Sequence, residues 1–214
     1  MSDPSTTPAP RSSPLEAQHE AAGATFTDFA GHRMPVRYSS DLAEHHAVRD
    51  AAGVFDLSHM AEIGVQGVDA VAFLDAALAG SFGAMPVGRA KYSLLLTPAG
   101  GILDDLVVYR TGDDVFLVVA NAGNRDVAVR ALQERAAGHD VLVTDDSDRT
   151  ALVAIQGPAA AGTLDALVVR HTDVGWRDLS CRALPIPNFE QIGLGHRYVE
   201  AQYVGHGARG RARW

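Results

Sequence analysis

The chain is poor in cysteine and in long apolar runs. Cys181 is the only cysteine among 214 residues, so no internal disulfide can form and a reducing, cytoplasmic compartment is expected. The longest unbroken apolar run, Val115 to Ala120, has six residues, whereas a membrane-spanning helix needs about 20. These absences exclude a disulfide-stapled scaffold and predict a globular protein that does not cross a membrane.

Positive charge is also scarce. Lys91 is the only lysine beside seventeen arginines, and the formal net charge is −8. Proteins that bind nucleic acid gain much of their affinity from basic side chains that neutralise phosphates, so we expect no nucleic-acid partner. The charge is uneven, because residues 1–165 carry a net charge of −11 and residues 166–214 one of +3.

The hydrophobic pattern predicts an α+β protein built on antiparallel sheets. Apolar residues recur with the spacing of a helix in some segments and of a strand in others. The short turns TPAGG and RTGDD join consecutive strands, and connections this short are possible only between antiparallel strands. The predicted helices cover 14–22, 40–53, 68–80 and 124–137, with extended segments at 24–38 and strands at 61–67, 91–96, 102–109, 115–120, 139–145 and 150–157.

The N-terminal residues predict a tail followed by a capped helix. Residues 1–13, MSDPSTTPAPRSS, are rich in Ser, Thr and Pro, which predicts a disordered tail without a targeting helix. Ser13 is expected to cap a helix that has Pro14 as its first residue and ends at Gly23. We therefore place the start of the folded region at residue 14.

Adjacent aspartates occur in the predicted strand GGILDDLVVY. Successive strand side chains point to opposite faces, so Asp104 and Asp105 cannot form a facing pair, and one of them must lie among apolar neighbours. A buried carboxylate needs a hydrogen-bonding partner. Without other information, the strand end beside the Gly100–Gly101 turn favours an interpretation in which both carboxylates stay solvated.

Other candidate chemistry is weaker. His45, His46 and His59 have the side chain that zinc prefers, but not the i, i+4 spacing that places two ligands on one helix face, so no metal site is predicted. The glycines form neither GxGxxG nor a Walker loop. Cys181 has no evident base beside it, which argues against a nucleophile.

Five motifs in one order resemble a known family. In chain order they read SPLEAQHEAAGATFTDFAGHRMPVRYSS, EHHAVRDAAGVFDLSHM, AKYSLLLTPAGGILDDLVVY, VVANAGNRD and ALVAIQGPAA. Over residues 15–165 the chain resembles the aminomethyltransferase of the glycine cleavage system, the T protein. The resemblance implies a folate-binding α+β region, within a fold of three domains around a central folate cavity.

The resemblance also implies a reaction and its partners. The methylene unit of an aminomethyl group, carried on the reduced lipoyl arm of the H protein, would pass to tetrahydrofolate as ammonia is released. Tetrahydrofolate is then a substrate, no metal is required, and the lipoylated H protein is the partner.

The resemblance further implies site residues. The catalytic carboxylate would be Asp105 or Asp104, and we favour Asp105 because it shares a strand face with Tyr109. By similarity, Met60, Tyr92 and Asn121 would line the folate pocket, although ordinary core packing would explain Met60 and Tyr92 equally well. A thioether and a ring suit a flat heterocycle, and an amide suits its edge.

The resemblance stops after Gln156-Gly157-Pro158. The family continues with a segment bearing RTGYTGEDGFE and a C-terminal barrel, and neither is expected here, so the second half of the folate pocket would be missing and the activity of this chain on its own stays an open question. We hypothesise that residues 166–214 are read in a shifted frame or are otherwise foreign to the family. The opposing interpretation is a native extension that packs through Trp176, Phe189 and Tyr198.

Two other functions compete with the transferase. One is a non-catalytic folate-binding relative of the type associated with iron–sulfur cluster maintenance, although such relatives carry a cysteine-bearing motif that does not surround Cys181. The other is a demethylase-type folate domain detached from its flavin partner. Release of ammonia from aminomethylated H protein would separate the transferase from both.

Overall fold

The structure is a computed structural model that describes residues 9–163 and 198–204. The strands are β1 (Arg11–Ser12), β2 (Thr25–Phe29), β3 (His32–Arg37), β4 (Gly53–Asp56), β5 (Ala61–Gln66), β6 (Ala90–Leu96), β7 (Ile102–Arg110), β8 (Val115–Ala120), β9 (Leu142–Asp145), β10 (Thr150–Gln156) and β11 (Tyr198–Val204). The helices are α1 (Glu16–Ala21), α2 (Asp41–Asp50), α3 (Ala70–Ala77) and α4 (Arg125–Arg135).

These strands form three sheets. The largest has five strands in the order β6-β7-β8-β5-β9, and the two others have the orders β1-β3-β2 and β11-β10-β4. Every pairing is antiparallel except the short one between β1 and β3. The predicted α+β class with antiparallel sheets is therefore confirmed.

The five-stranded sheet has one fully covered face. Its alternate side chains, among them Ile63, Leu106 and Val118, pack with Phe73 and Leu132 of α3 and α4 into the main core. Alternation along each strand sends every second side chain to this core. Since the described helices pack against this face only, the opposite face is not part of the main core.

The opposite face carries a smaller apolar cluster. Ala90, Tyr109, Val119 and Leu152 are buried there, with Met60 and other half-buried apolar residues packed against them. Leu152 comes from β10, so the sheet β11-β10-β4 contributes to this side. The rest of the face, toward the start of β7, is more open.

Several predicted boundaries require correction near the N-terminus. Residues 1–8 lie outside the described residues, but β1 pairs with β3 and Ser13 is buried, so ordered chain begins before the predicted limit at residue 13. The helix α1 begins at Glu16, two residues later than predicted, and Leu15 directly before it makes no side-chain cap bond. The Ser13 hydroxyl does accept from the Leu15 N–H at 3.0 Å, as a cap before Pro14 would, and it also hydrogen-bonds the carboxylate of Asp56.

The second helix follows its sequence signals at one end only. Ser40 caps α2 by accepting a hydrogen bond from the Ala43 N–H at 3.1 Å, as the pattern of Ser, Thr, Asp and Asn at helix starts predicts. The helix ends at Asp50, earlier than the predicted end at Gly53. Gly53 starts β4 instead, because β4 pairs with β10.

The predicted C-terminal tail lies mostly outside the described residues. Of residues 166–214, which include Trp176, Cys181 and Phe189, the structure describes 198–204. There β11 pairs with β10 in continuous register from Thr150 opposite Val204 to Gln156 opposite Tyr198. None of the helices in the described residues has the length and apolar content that crossing a bilayer requires.

Candidate functional site

Asp104 and Asp105 occupy opposite faces of the five-stranded sheet, as strand alternation predicts. The Asp104 side lies with the covered core and the residue is 3% exposed, whereas Asp105 is exposed. The interpretation that both carboxylates stay solvated is therefore wrong. Asp104 is buried because α4 and the turn before it close over this part of the sheet.

Asp104 is fully supplied with hydrogen-bond donors. Its Oδ2 accepts from the backbone N–H of Asn121 at 3.0 Å, and its Oδ1 accepts from the side-chain amides of Asn121 at 2.9 Å and Asn124 at 2.7 Å. A buried carboxylate with three donors satisfies the requirement that buried charge be hydrogen-bonded. Asp104 thus acts as a buried anchor below the open face.

Asn121 connects this anchor to Asp105. It follows β8 at the position opposite Asp105, and its Nδ2 donates to the Asp105 Oδ1 at 2.8 Å and to the Asp105 carbonyl at 2.9 Å. The amide nitrogen therefore lies among three oxygens, the third being the Asp104 Oδ1, and its two protons are shared among these oxygens. Turning the amide over would place its own oxygen against them, so the contacts select one orientation.

The other predicted residues lie on the same side as Asp105. Tyr92 pairs with Val107 in the β6–β7 ladder and is 57% exposed. Val107 is two residues after Asp105 in β7, so the Tyr92 ring lies on the same face of the sheet as Asp105. Met60 lies half-buried at the edge of the smaller apolar cluster. The structure thus brings Asp105, Asn121, Tyr92 and Met60 to one face and places Asp104 behind it.

Glu62 was not selected from the sequence. Strand alternation turns this residue toward the open face, opposite Val119, yet it is 1% exposed. The segment after β9 continues along the edge of β5 here, since the Glu62 backbone N–H donates to the Ser147 hydroxyl at 2.9 Å and the Glu62 carbonyl accepts from the Asp146 N–H at 2.8 Å. No local signal in AEIGVQG indicates that the Glu62 side chain is buried.

A second polar cluster joins the N-terminal elements to β4. The Asp56 carboxylate contacts the Ser13 hydroxyl, lies 2.8 Å from His19 Nε2 and accepts from the Ser58 N–H at 2.9 Å. The Tyr38 hydroxyl lies 2.8 Å from His19 Nδ1. A ring protonated on Nε2 donates to Asp56 and accepts from Tyr38, which satisfies both nitrogens.

The electrostatics of this cluster favour an ionised Asp56. Burial alone would raise the pKa of the Asp56 carboxyl, but hydrogen bonds from His19, Ser13 and Ser58 outweigh burial and hold the pKa below its ordinary value. Burial raises the pKa of Tyr38, with smaller contributions from the negative charges of Asp56 and Glu44. This arrangement joins α1 to β4 through His19 and Asp56.

His59 lies directly before Met60 and packs edge-on against Phe29, with ring centroids 5.4 Å apart. Burial lowers its pKa, helped by the neighbouring His32 and opposed by Asp56, so a neutral ring is favoured. His45 and His46 contact each other on the exposed side of α2. Within the described residues, no group of three or more His, Cys, Asp or Glu side chains is placed to hold a metal ion.

The arrangement defines a class of protein: an antiparallel α+β domain with an anchored carboxylate–amide pair and a tyrosine on an open sheet face. The chain belongs to the family described as GCVT N-terminal domain, whose model matches residues 15–205.

Its relatives are aminomethyltransferases. That of Cutibacterium acnes is 61% identical over 150 residues, which cover 70% of this chain and 40% of the relative. That of Thermus thermophilus is 46% identical over 157 residues, covering 73% of this chain and 45% of the relative. The chain thus spans less than half the length of these curated relatives.

A solved structure shares the fold. The glycine cleavage system aminomethyltransferase T of Bartonella henselae matches with a TM-score of 0.70 and 43% sequence identity, over 73% of this chain and 43% of that chain. The resemblance seen in the sequence motifs is therefore confirmed at the level of family and fold.

Proposed function

We propose that this chain provides the folate-binding part of an aminomethyltransferase of the glycine cleavage system. The reaction transfers the methylene unit from aminomethyl-dihydrolipoyl H protein to tetrahydrofolate and releases ammonia, within one-carbon metabolism and glycine catabolism. The observation that carries the proposal is the 61% identity to the aminomethyltransferase of Cutibacterium acnes. Identity at this level over 150 residues supports a common function as well as a common fold.

The open sheet face supplies suitable groups for this chemistry. The exposed ring of Tyr92 and the thioether of Met60 can contact a flat heterocycle, and the Asp105 carboxylate can accept a hydrogen bond from one of its N–H groups. A fixed carboxylate also stabilises the positive charge that develops as ammonia leaves, because it needs no reorganisation during the reaction. Asp105 is therefore the proposed catalytic carboxylate.

The proposal includes the partners and the compartment. The lipoylated H protein delivers the aminomethyl group, tetrahydrofolate receives the methylene unit, and the cytoplasm is the proposed location. No metal, nucleic acid or membrane is required by this chemistry.

Titration of the 214-residue chain with tetrahydrofolate tests the folate site directly. We expect saturable heat release from the parent chain and from Asp113→Asn, which makes the same chemical change at an exposed aspartate of the β7–β8 turn. Asp105→Asn is expected to bind more weakly. A parent chain that binds no tetrahydrofolate would contradict the proposed site.

Ammonia release from aminomethylated H protein tests the transferase reaction. Release that requires both tetrahydrofolate and Asp105 supports the transferase. Folate binding without any ammonia release would instead favour the non-catalytic folate-binding alternative.

A further inference from the structure

Asn124 lies at the N-cap position of α4, where an asparagine side chain usually caps the helix. It is the last residue of the 3-10 turn Ala122–Asn124 and lies directly before α4. Asparagine is among the best residues at a helix start because its side-chain oxygen accepts a hydrogen bond from the first free backbone N–H groups. Here the helix start has no side-chain cap bond.

The Asn124 side chain is directed to the sheet instead. Its Nδ2 donates to the Asp104 Oδ1 at 2.7 Å and to the Leu103 carbonyl at 3.2 Å. The helix thus forgoes a cap that ordinarily contributes to its stability, and the amide completes the set of donors around a buried carboxylate. The reason for this side-chain direction lies in the contact between Asp104 and Asn121.

The contacts form one continuous chain of hydrogen bonds. Asn124 donates to Asp104, Asp104 accepts from both the N–H and the Nδ2 of Asn121, and the same Nδ2 donates to the Asp105 Oδ1 at 2.8 Å. Asp105 is exposed, and an exposed carboxylate ordinarily samples several rotamers. Here the orientation of the Asp105 carboxylate depends on the Asn121 amide, and the buried Asp104 carboxylate fixes that amide.

We propose that Asn124 is a positioning residue, which acts through Asp104 to hold the Asn121 amide and thereby the Asp105 carboxylate in one orientation. The proposal rests on the function given above, in which Asp105 is the catalytic carboxylate. Asn124 itself does not contact the substrate. Its loss removes a donor that holds the Asp104 carboxylate in place, so the carboxylate can rotate and the Asn121 amide loses its fixed acceptor.

Hydrogen exchange of the Asn121 side-chain amide measures this restraint without any ligand. The full chain is labelled with nitrogen-15, and the Asn121 signal is assigned by its disappearance in Asn121→Ala. In Asn124→Ala we expect the Asn121 Nδ2 protons to exchange about five- to tenfold faster, the change equivalent to losing one hydrogen bond. Slow backbone amides of α4 are expected to keep their rates.

Asp126→Ala is the matched control. Asp126 lies in the first turn of the same helix and favours it by its negative charge, so its loss weakens the helix without touching Asp104. We expect no change in Asn121 exchange relative to the α4 backbone. Equal Asn121 exchange in Asn124→Ala and Asp126→Ala would overturn the positioning role.

If Asn124→Ala does not fold, Asn124→Ser supplies the same comparison, because serine is a good helix-capping residue that lacks the amide donor. Tetrahydrofolate affinity gives an independent second readout, and we expect Asn124→Ala to weaken it about fivefold while Asp126→Ala leaves it unchanged. If the parent chain binds no tetrahydrofolate, the proposed function fails and the exchange measurement still decides the positioning role.

Discussion

Asp104 and Asp105 are neighbours in the chain but have different surroundings, because β7 turns successive side chains to opposite faces. Asp104 accepts three hydrogen bonds inside the protein, whereas Asp105 accepts one at its Oδ1 and is exposed. The first therefore contributes mainly to stability and the second is available to a ligand. Substitution of each should affect different measurements.

We expect Asp105→Asn to change the free energy of unfolding by no more than about 0.5 kcal/mol, as is usual for exposed positions. Tetrahydrofolate affinity should fall roughly tenfold or more, because a hydrogen bond to a charged group is lost. In Asp104→Asn, the new NH2 group must face at least one donor, the Asn121 backbone N–H if the amide oxygen takes the Oδ1 position, so a loss of about 1–3 kcal/mol is expected. Urea unfolding and calorimetric titration measure the two quantities.

The assignment has a clear contrary result. Unchanged folate affinity in Asp105→Asn, beside a large loss in Asp113→Asn, would remove Asp105 from the site. Full stability of Asp104→Asn would show that its hydrogen bonds contribute little.

Asp56 provides a pH-dependent contribution to stability. Its pKa is lowered in the folded state, so its stabilising effect is complete above the unfolded value of about 3.9 and is lost as the pH falls through the lower folded value. We expect Asp56→Asn to make the free energy of unfolding less dependent on pH below about pH 4. Chemical unfolding of both chains from about pH 2 to about pH 6 measures the difference.

Asp28→Asn is a suitable control, since Asp28 is an exposed residue of β2 beside the turn to β3 and accepts from the Gly31 N–H. If the free energy of unfolding of the parent and of Asp56→Asn depends on pH in the same way, the pKa of Asp56 is not lowered in the folded state.

At the scale of elements, the backbone that follows β10 contacts the C-terminal end of α2 and the residue after it. No residue of α2 is buried, but the Ala159 N–H donates to the Ala51 carbonyl at 2.9 Å. Gly157 lies between them with a φ of 126°, and a Cβ there would lie 2.6 Å from the Val48 carbonyl oxygen. Glycine is required for both the conformation and the close approach.

Gly157→Ala is therefore expected to cost more than about 2 kcal/mol of unfolding free energy. Gly100→Ala is the matched control, because Gly100 also has a positive φ, of 84°, but open space around its Cβ position, so it carries the conformational cost of about 1 kcal/mol alone. Urea unfolding of both variants separates the two causes. Equal losses would show that the close approach to α2 is unimportant.

At the scale of the whole molecule, both apolar clusters lie within residues 57–152. Truncation after Leu167 is therefore expected to leave a cooperatively unfolding unit, even though it removes β11 and makes β10 an edge strand. Thermal unfolding followed by circular dichroism checks this. Loss of the transition would show that residues after 167 are needed for the core, and would contradict a domain limit near residue 165.

Much of this fold could be predicted from local sequence. Alternation in ILDDLVVY determines that Asp104 and Asp105 diverge, and turns such as TPAGG determine that β6 and β7 pair antiparallel. Ser40 caps α2 because the cap depends only on residues three apart. These features involve neighbours in the chain, so their physical causes are present in the sequence itself.

Other features depend on which distant segments come together. Asn124 is a favourable helix cap by sequence, and only the position of β7 beneath it turns its amide to Asp104. Ser13 likewise contacts Asp56, 43 residues away in the chain, and Glu62 is buried although local alternation gives no sign of burial there. Burial and long-range hydrogen bonds are set by tertiary packing, since the free energy of a polar side chain depends on the partners that the fold supplies.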